Sequence, residues 1–164
     1  MEFAFYTSAA VALLATLRVI TNTNPVHALL NLIVSLLAVA MIFFALGAPF
    51  AAALEMIVYA GAIMVLFVFV VMMLNLGDTQ RQEKAWLKPQ AWIAPAILAS
   101  ALLAQLVYTL AVQPSHAAGV TAIDAKQVGI ALFGPYLLVV ELASMLLLAA
   151  LVAAYHLGRH DETE

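Results

Sequence analysis

The sequence predicts an all-α, polytopic membrane protein, a single membrane domain over 1–164 with about five transmembrane helices, oriented N-out/C-in. Three observations carry this prediction. First, 66% of the residues are hydrophobic and only 9% are charged, with a mean hydropathy of +1.09. A water-soluble domain carries roughly a quarter charged residues, so lipid must be much of this chain's solvent. The apolar residues are mixed among Ala, Leu, Val, Ile, Phe and Met, so low complexity is not the cause. Second, the apolar residues fall into stretches of the length a bilayer requires, about 20 residues. Third, the basic residues are unevenly distributed between the two ends of these stretches.

The predicted spans are about 3–21, 27–46, 51–75, 91–112 and 136–157. The first follows Met1-Glu2-Phe3 without the basic segment of a secretory signal, which predicts a retained anchor. Asn22-Thr23-Asn24-Pro25 separates it from the second, and Gly47-Ala48-Pro49 separates the second from the third. Gly77-Asp78 opens a polar loop that runs to Pro89, and Gln113-Pro114-Ser115-His116 opens a longer one. Within 120–134 a short interfacial helix is expected, ahead of the last span. Gly134-Pro135 precedes that span, and proline suits the first turn of a helix. Barrel strands would be about half as long and would alternate polar with apolar residues. No internal repeat suggests a transporter built from inverted halves.

Of the six basic residues, Arg18, Arg81, Lys84, Lys88 and Arg159 lie on one side under the N-out orientation, leaving Lys126 alone on the other. The positive-inside rule then makes the first side cytoplasmic. Arg18 is a little inside the first span, where its stem can snorkel. Trp86 and Trp92 flank the fourth span as interfacial anchors.

Two acids lie within spans, Glu55 and Glu141, with no intramembrane lysine and with Arg18 near the opposite face from both. A charge near the bilayer centre costs about 2.5–3.5 kcal/mol on insertion scales. The acids are therefore protonated, reached by water, or paired by another subunit, which points to a multisubunit proton-handling complex. Snorkelling is the other reading for Glu55, and a helix-packing hydrogen bond the other for Glu141. Tyr59 is four residues from Glu55 and shares its helical face. Ala60-Gly61-Ala62 is a small-residue patch with two readings, close helix–helix approach and a weak point in the hydrogen-bond ladder that can host a π-bulge. Met64, Met72 and Met73 read as packing residues. His27 and His156 stand near one face in this topology and offer only a weak case for haem ligation. Cysteine is absent, which removes all-cysteine iron–sulfur ligation and thiol redox chemistry. There is no nucleotide-binding fingerprint, no P-loop and no metal-ligand cluster of recognised spacing. A net charge of −3 without a basic stripe gives no basis for nucleic-acid binding.

Three segments carry a resemblance. They are Val58-Tyr59-Ala60-Gly61-Ala62-Ile63-Met64-Val65-Leu66-Phe67-Val68-Phe69, then Phe133-Gly134-Pro135-Tyr136 with Val140-Glu141-Leu142-Ala143-Ser144-Met145-Leu146-Leu147-Leu148, and Thr16-Leu17-Arg18-Val19-Ile20 with Asn24-Pro25-Val26-His27-Ala28-Leu29. Together they resemble the subunit J family of bacterial NADH-quinone oxidoreductase, respiratory complex I, whose mitochondrial counterpart is NADH dehydrogenase subunit six. The likeness runs in order through nearly the whole chain to about Arg159. The loop at 113–125 matches poorly, and the tail after Arg159 is shorter than in many members.

The resemblance implies five membrane helices in the bacterial inner membrane, beside subunits A, K and H and near N, in contact with lipid. It implies a non-redox subunit of a proton-translocating enzyme. NAD, FMN, iron–sulfur clusters and quinone would belong to the partner subunits. It further implies a π-bulge in the third helix around Tyr59–Val65 that forms and relaxes, linking quinone chemistry to proton movement. Glu55, Tyr59 and Gly61 then become the expected coupling site, with Val65 and Phe67 responding and Glu141 as a further proton-path candidate. Two rival expectations are a subunit of a related cation antiporter or membrane hydrogenase complex, and an independent small transporter.

Overall fold

The computed structural model describes residues 2–73, 89–112 and 122–158, and it is helical throughout them apart from short turns. Helix α1 is Glu2–Thr21 and α2 is Pro25–Ala45. The third span is composite, with α3 at Pro49–Leu54, a π-helical segment at Glu55–Ile63 and α4 at Met64–Met73. Helix α5 is Pro89–Val112, α6 is Ala125–Phe133 and α7 is Leu137–Gly158. Five stretches are long and apolar enough to cross a membrane: Glu2–Thr21, Pro25–Ala45, Pro49–Met73, Trp92–Ala111 and Leu137–Gly158. Each expected span coincides with one of them. The end of the expected third span at 74–75, the polar loop to Lys88 and most of the longer loop lie outside the described residues. So do Arg81, Lys84, Trp86, Lys88 and Arg159.

Local chemistry explains the boundaries. Asn24 caps α2, its Oδ1 accepting from the Val26 amide at 3.0 Å, and Pro25 fills the first turn, where no amide proton is needed. Helix α2 ends where Gly47 adopts φ 82°, a conformation that costs a side-chain-bearing residue dearly. The Gly47 amide bonds the Phe44 carbonyl at 3.1 Å and the Ala48 amide bonds the Phe43 carbonyl at 3.0 Å. This pair of bonds is a Schellman closure, and Pro49 then opens the next helix. The short helix expected within 120–134 is α6, capped by Asp124 Oδ1 on the Ala125 amide at 2.7 Å. One expectation shifts. Pro135 lies in the turn before α7 rather than in its first turn, because the chain bends at Gly134–Tyr136 and the helix begins at Leu137.

The chain divides into two compact units, residues 1–123 and 124–164. In the first, α2 is the central element, packed against α1, the third span and α5, while α1 also meets α5. Small residues let these helices approach, with Ala15 and Ala38 fully buried beside Val34 and Leu102. Polar side chains then join the helices. Thr16 and Ser35 hydroxyls lie 2.9 Å apart, and Ser35 Oγ also donates to the Ala12 carbonyl at 3.3 Å. Gln105 Nε2 donates to Ser8 Oγ at 2.7 Å and to the Ala4 carbonyl at 2.8 Å, while its Oε1 accepts from Thr7 Oγ1 at 2.6 Å. The second unit holds α6 and α7, and no side chain of α7 is buried within the chain.

An interhelical hydrogen bond in a membrane contributes on average about 0.6 kcal/mol. Gln105→Leu removes three such bonds and should lower stability by about 2 kcal/mol, whereas Thr16→Val removes one and should cost about a third of that. Denaturant unfolding in lipid bicelles measures both. Equal losses would show that these bonds do not set the relative strength of the α1–α5 and α1–α2 seams.

Candidate functional site

The third span is where backbone geometry departs from the regular helix. The Glu55 amide still points at the carbonyls of Ala51 and Ala52, as in an ordinary helix. By Met64 the amide reaches the Tyr59 carbonyl, five residues back, as well as that of Gly61. Between them the turn is widened over Glu55–Ile63. The segment thus begins four residues before the Tyr59–Val65 stretch that the resemblance implied and ends two before it, and Met64 and Val65 are already α-helical. Wide turns of this kind are rare and gather at functional sites.

A side chain at Gly61 would be crowded within the wide turn. A Cβ there would stand 3.2 Å from the Met56 carbonyl oxygen, five residues back. That is tight enough to force a shift of a few tenths of an ångström, and the fault would be with backbone rather than with a flexible side chain. Of the two readings of Ala60-Gly61-Ala62, the structure gives this one a geometric basis.

The segment also has few lateral ties. Among the described residues no side-chain hydrogen bond or ion pair joins Pro49–Met73 to another helix, in contrast to the bonds that join α1, α2 and α5. The main neighbour of the third span in its unit is α2. Ala52 and Met64 are its buried residues.

The expected site residues divide accordingly. Glu55, Tyr59 and Gly61 all fall on the π segment, Glu55 as its first residue and partly exposed, Tyr59 50% exposed. Among the described residues neither the Glu55 carboxyl nor the Tyr59 hydroxyl has a hydrogen-bond partner, and no bond joins the two. Val65 and Phe67 follow on α4, 65% and 49% exposed. None of these side chains is buried within the first unit. Glu141 belongs to the second unit, on the exposed α7. Its backbone carbonyl accepts from Ser144 Oγ at 2.7 Å, and its carboxyl has no hydrogen bond among the described residues. His27 is on α2 in the first unit and His156 on α7 in the second. No group of three or more His, Cys, Asp or Glu among the described residues could hold a metal ion.

Sequence reasoning missed the polar seam. Gln105 and Thr109, Asn31 and Ser35, and Ser8 and Thr16 are spaced by four or eight residues, which puts each pair on one helical face. That spacing was the available signal. Asn31 is 2% exposed, donates from Nδ2 to the His27 carbonyl at 2.7 Å, and keeps Oδ1 unbonded.

Comparison with known proteins agrees with this architecture. Residues 15–157 match the family described as NADH-ubiquinone/plastoquinone oxidoreductase chain 6. The chain is 72% identical to NADH-quinone oxidoreductase subunit J of Pseudomonas aeruginosa over 163 residues, 98% of either chain. It is 65% identical to subunit J of Escherichia coli K12 over 162 residues, covering 98% of this chain and 88% of that one. Against subunit J of Buchnera aphidicola from Schizaphis graminum it is 51% identical over 163 residues, 99% of this chain and all of the other. The chain therefore belongs to the NADH-ubiquinone/plastoquinone oxidoreductase chain 6 family, as a multi-pass membrane subunit of the bacterial inner-membrane NADH-quinone oxidoreductase, respiratory complex I.

Proposed function

We propose that this chain couples quinone reduction elsewhere in the complex to proton transfer through a deformable third helix, and carries no electrons itself. The observation that carries the proposal is the π segment at Glu55–Ile63, which holds an acid and a phenol and, among the described residues, has no lateral hydrogen bonds to fix it. A π turn and an α turn both satisfy backbone hydrogen bonds, so conversion between them leaves no buried amide without a partner. Conversion would turn α4 by roughly one residue's share of a helical turn, about 100°. Val65 and Phe67 would then sweep across the face on which Glu55 and Tyr59 stand, opening or closing a water path between them and a neighbouring subunit. A two-state element whose balance a distant site can bias is a sufficient coupling device. Glu141 is a further proton-path candidate on α7. NAD, FMN, iron–sulfur clusters and quinone are then held by partner subunits. Subunits A, K, H and N are the proposed neighbours.

Gly61→Val places a branched side chain against the Met56 carbonyl and disfavours the wide turn. A strain of about 1–2 kcal/mol moves a two-state balance about 5–30-fold. In inverted membrane vesicles, NADH-driven proton uptake and quinone reduction should fall by that order, while NADH oxidation by a soluble artificial acceptor stays normal. Wild-type quinone reduction and pumping would defeat the proposal. Glu55→Gln should lower protons moved per NADH more than it lowers NADH oxidation, and an unchanged ratio would remove Glu55 from the path.

The proposed orientation is N-out/C-in. Because the chain has no cysteine, single cysteines report on it cleanly. An impermeant maleimide should reach Leu46→Cys from the periplasmic side and Thr23→Cys from the cytoplasmic side. The reverse pattern would invert the topology.

A further inference from the structure

Two backbone groups near the start of the third span belong to no helix. Helix α2 closes on the Ile42, Phe43 and Phe44 carbonyls, and the Ala48 carbonyl accepts from the Ala52 amide of α3 at 3.0 Å. The Gly47 carbonyl lies between these two sets and enters neither, and Gly47 is buried. Beyond Ile123, the last residue of the first unit, α6 begins on the Asp124 carboxylate and carbonyl, which accept from the Ala125, Gln127 and Val128 amides. The Ile123 amide precedes that set and is left over. A buried backbone carbonyl needs a donor. The fold pairs the two remaining groups, and the Ile123 amide donates to the Gly47 carbonyl at 2.9 Å.

This bond stands close to the wide turn. Gly47 holds φ 82°, Pro49 opens α3, and the π segment begins at Glu55, directly after the six residues of α3. Among the described residues no other hydrogen bond ties this turn to a segment beyond α2 and α3. A change between wide and regular turns within Glu55–Ile63 rotates one end of the span relative to the other. Each end has one buried residue, Ala52 on α3 and Met64 on α4, so burial does not decide which end turns. The Ile123 bond does decide it. A hydrogen bond weakens steeply when its angle is lost, and turning Gly47 together with α3 would leave a buried carbonyl unpaired. Among the described residues α4 has no such tie.

We propose that the Ile123–Gly47 bond is a latch that holds the α3 end of the third span, so that a change of register in the π segment turns α4 alone. The latch rests on the coupling reading for the register change, and on the bond itself for the end that stays fixed.

The test uses two pairs of spin labels in the assembled complex, all at exposed positions. Phe3→Cys on α1 with Ala53→Cys reports the α3 end, and Thr21→Cys with Met72→Cys reports the α4 end. During turnover with NADH and quinone and with Ile123 intact, the α4 pair should gain a second distance population, shifted by roughly 5–8 Å, while the α3 pair keeps one. Ile123→Pro deletes the amide proton and should bring a second population to the α3 pair. Ile123→Ala keeps the amide and should leave both pairs as they were. An α3 pair that stays single in Ile123→Pro while the α4 pair still splits overturns the latch and leaves the coupling reading standing. So does an α3 pair that splits with Ile123 intact or equally in Ile123→Ala. No second population at either pair with Ile123 intact overturns the register change itself, and the latch with it. Should Ile123→Pro fail to assemble, the corresponding α-hydroxy acid in place of Ile123 deletes the same N–H as a backbone ester, and the same two pairs give the answer.

Discussion

Inside hydrocarbon every backbone amide and carbonyl must find its partner within the segment that carries it. That constraint makes the spans helical, and it also sets the terms on which one of them can change. A kink that exposed unpaired backbone would cost several kcal/mol per group. A shift between hydrogen bonds to the fourth and to the fifth residue back keeps the ladder closed. The third span has the wide form over Glu55–Ile63 with ordinary helix on both sides, so it meets the constraint while holding a different rotational register.

The rest of the first unit supplies the contrast. Helices α1, α2 and α5 are held by buried alanines and by hydroxyl and amide bonds that work only at one register. Turning any of them by one residue would strand Gln105 or Ser35 in an apolar seam. Among the described residues the third span packs along α2 without such bonds, so the same rotation would break none of the described polar contacts. Where α2 meets α3 and α5, alanines leave open volume instead of interlocking side chains. Rigidity and freedom are thus distributed by side-chain chemistry, although every span is comparably apolar.

Much of this was legible from residues alone, and physics explains where the reading stopped. Span lengths follow from hydropathy because the bilayer fixes them, and the breaks at Asn24-Pro25 and Gly47-Ala48-Pro49 follow from cap and turn chemistry that is local in sequence. Packing faces are another matter. The spacing of Gln105 with Thr109 and of Ser8 with Thr16 marks a face of each helix but not the helix that it meets, so neither the pairing of Gln105 with Ser8 nor the hollow among Ala40, Ala52 and Ala99 could be read in advance. The Ala60-Gly61-Ala62 patch was visible, yet small residues serve packing and backbone distortion equally well. The family resemblance chose the second use, but put the wide turn a few residues too far along, because hydrogen-bond register depends on the carbonyls of the whole span. Glu55 and Tyr59 were recognisable as misplaced polar groups. Their exposure on the first unit was not, because neighbour contacts do not show in a span that is apolar on every side.

The central claim is that the third helix rotates below its π segment. It is tested most directly by the distance between spin labels at Thr21→Cys on α1 and Met72→Cys on α4, measured in the assembled complex at rest and during turnover with NADH and quinone. A turn of about 100° moves a label at the helix surface by roughly 5–8 Å. The account predicts a second distance population, shifted by that order, which grows during turnover and disappears in Gly61→Val. One unchanged population under all conditions would contradict it.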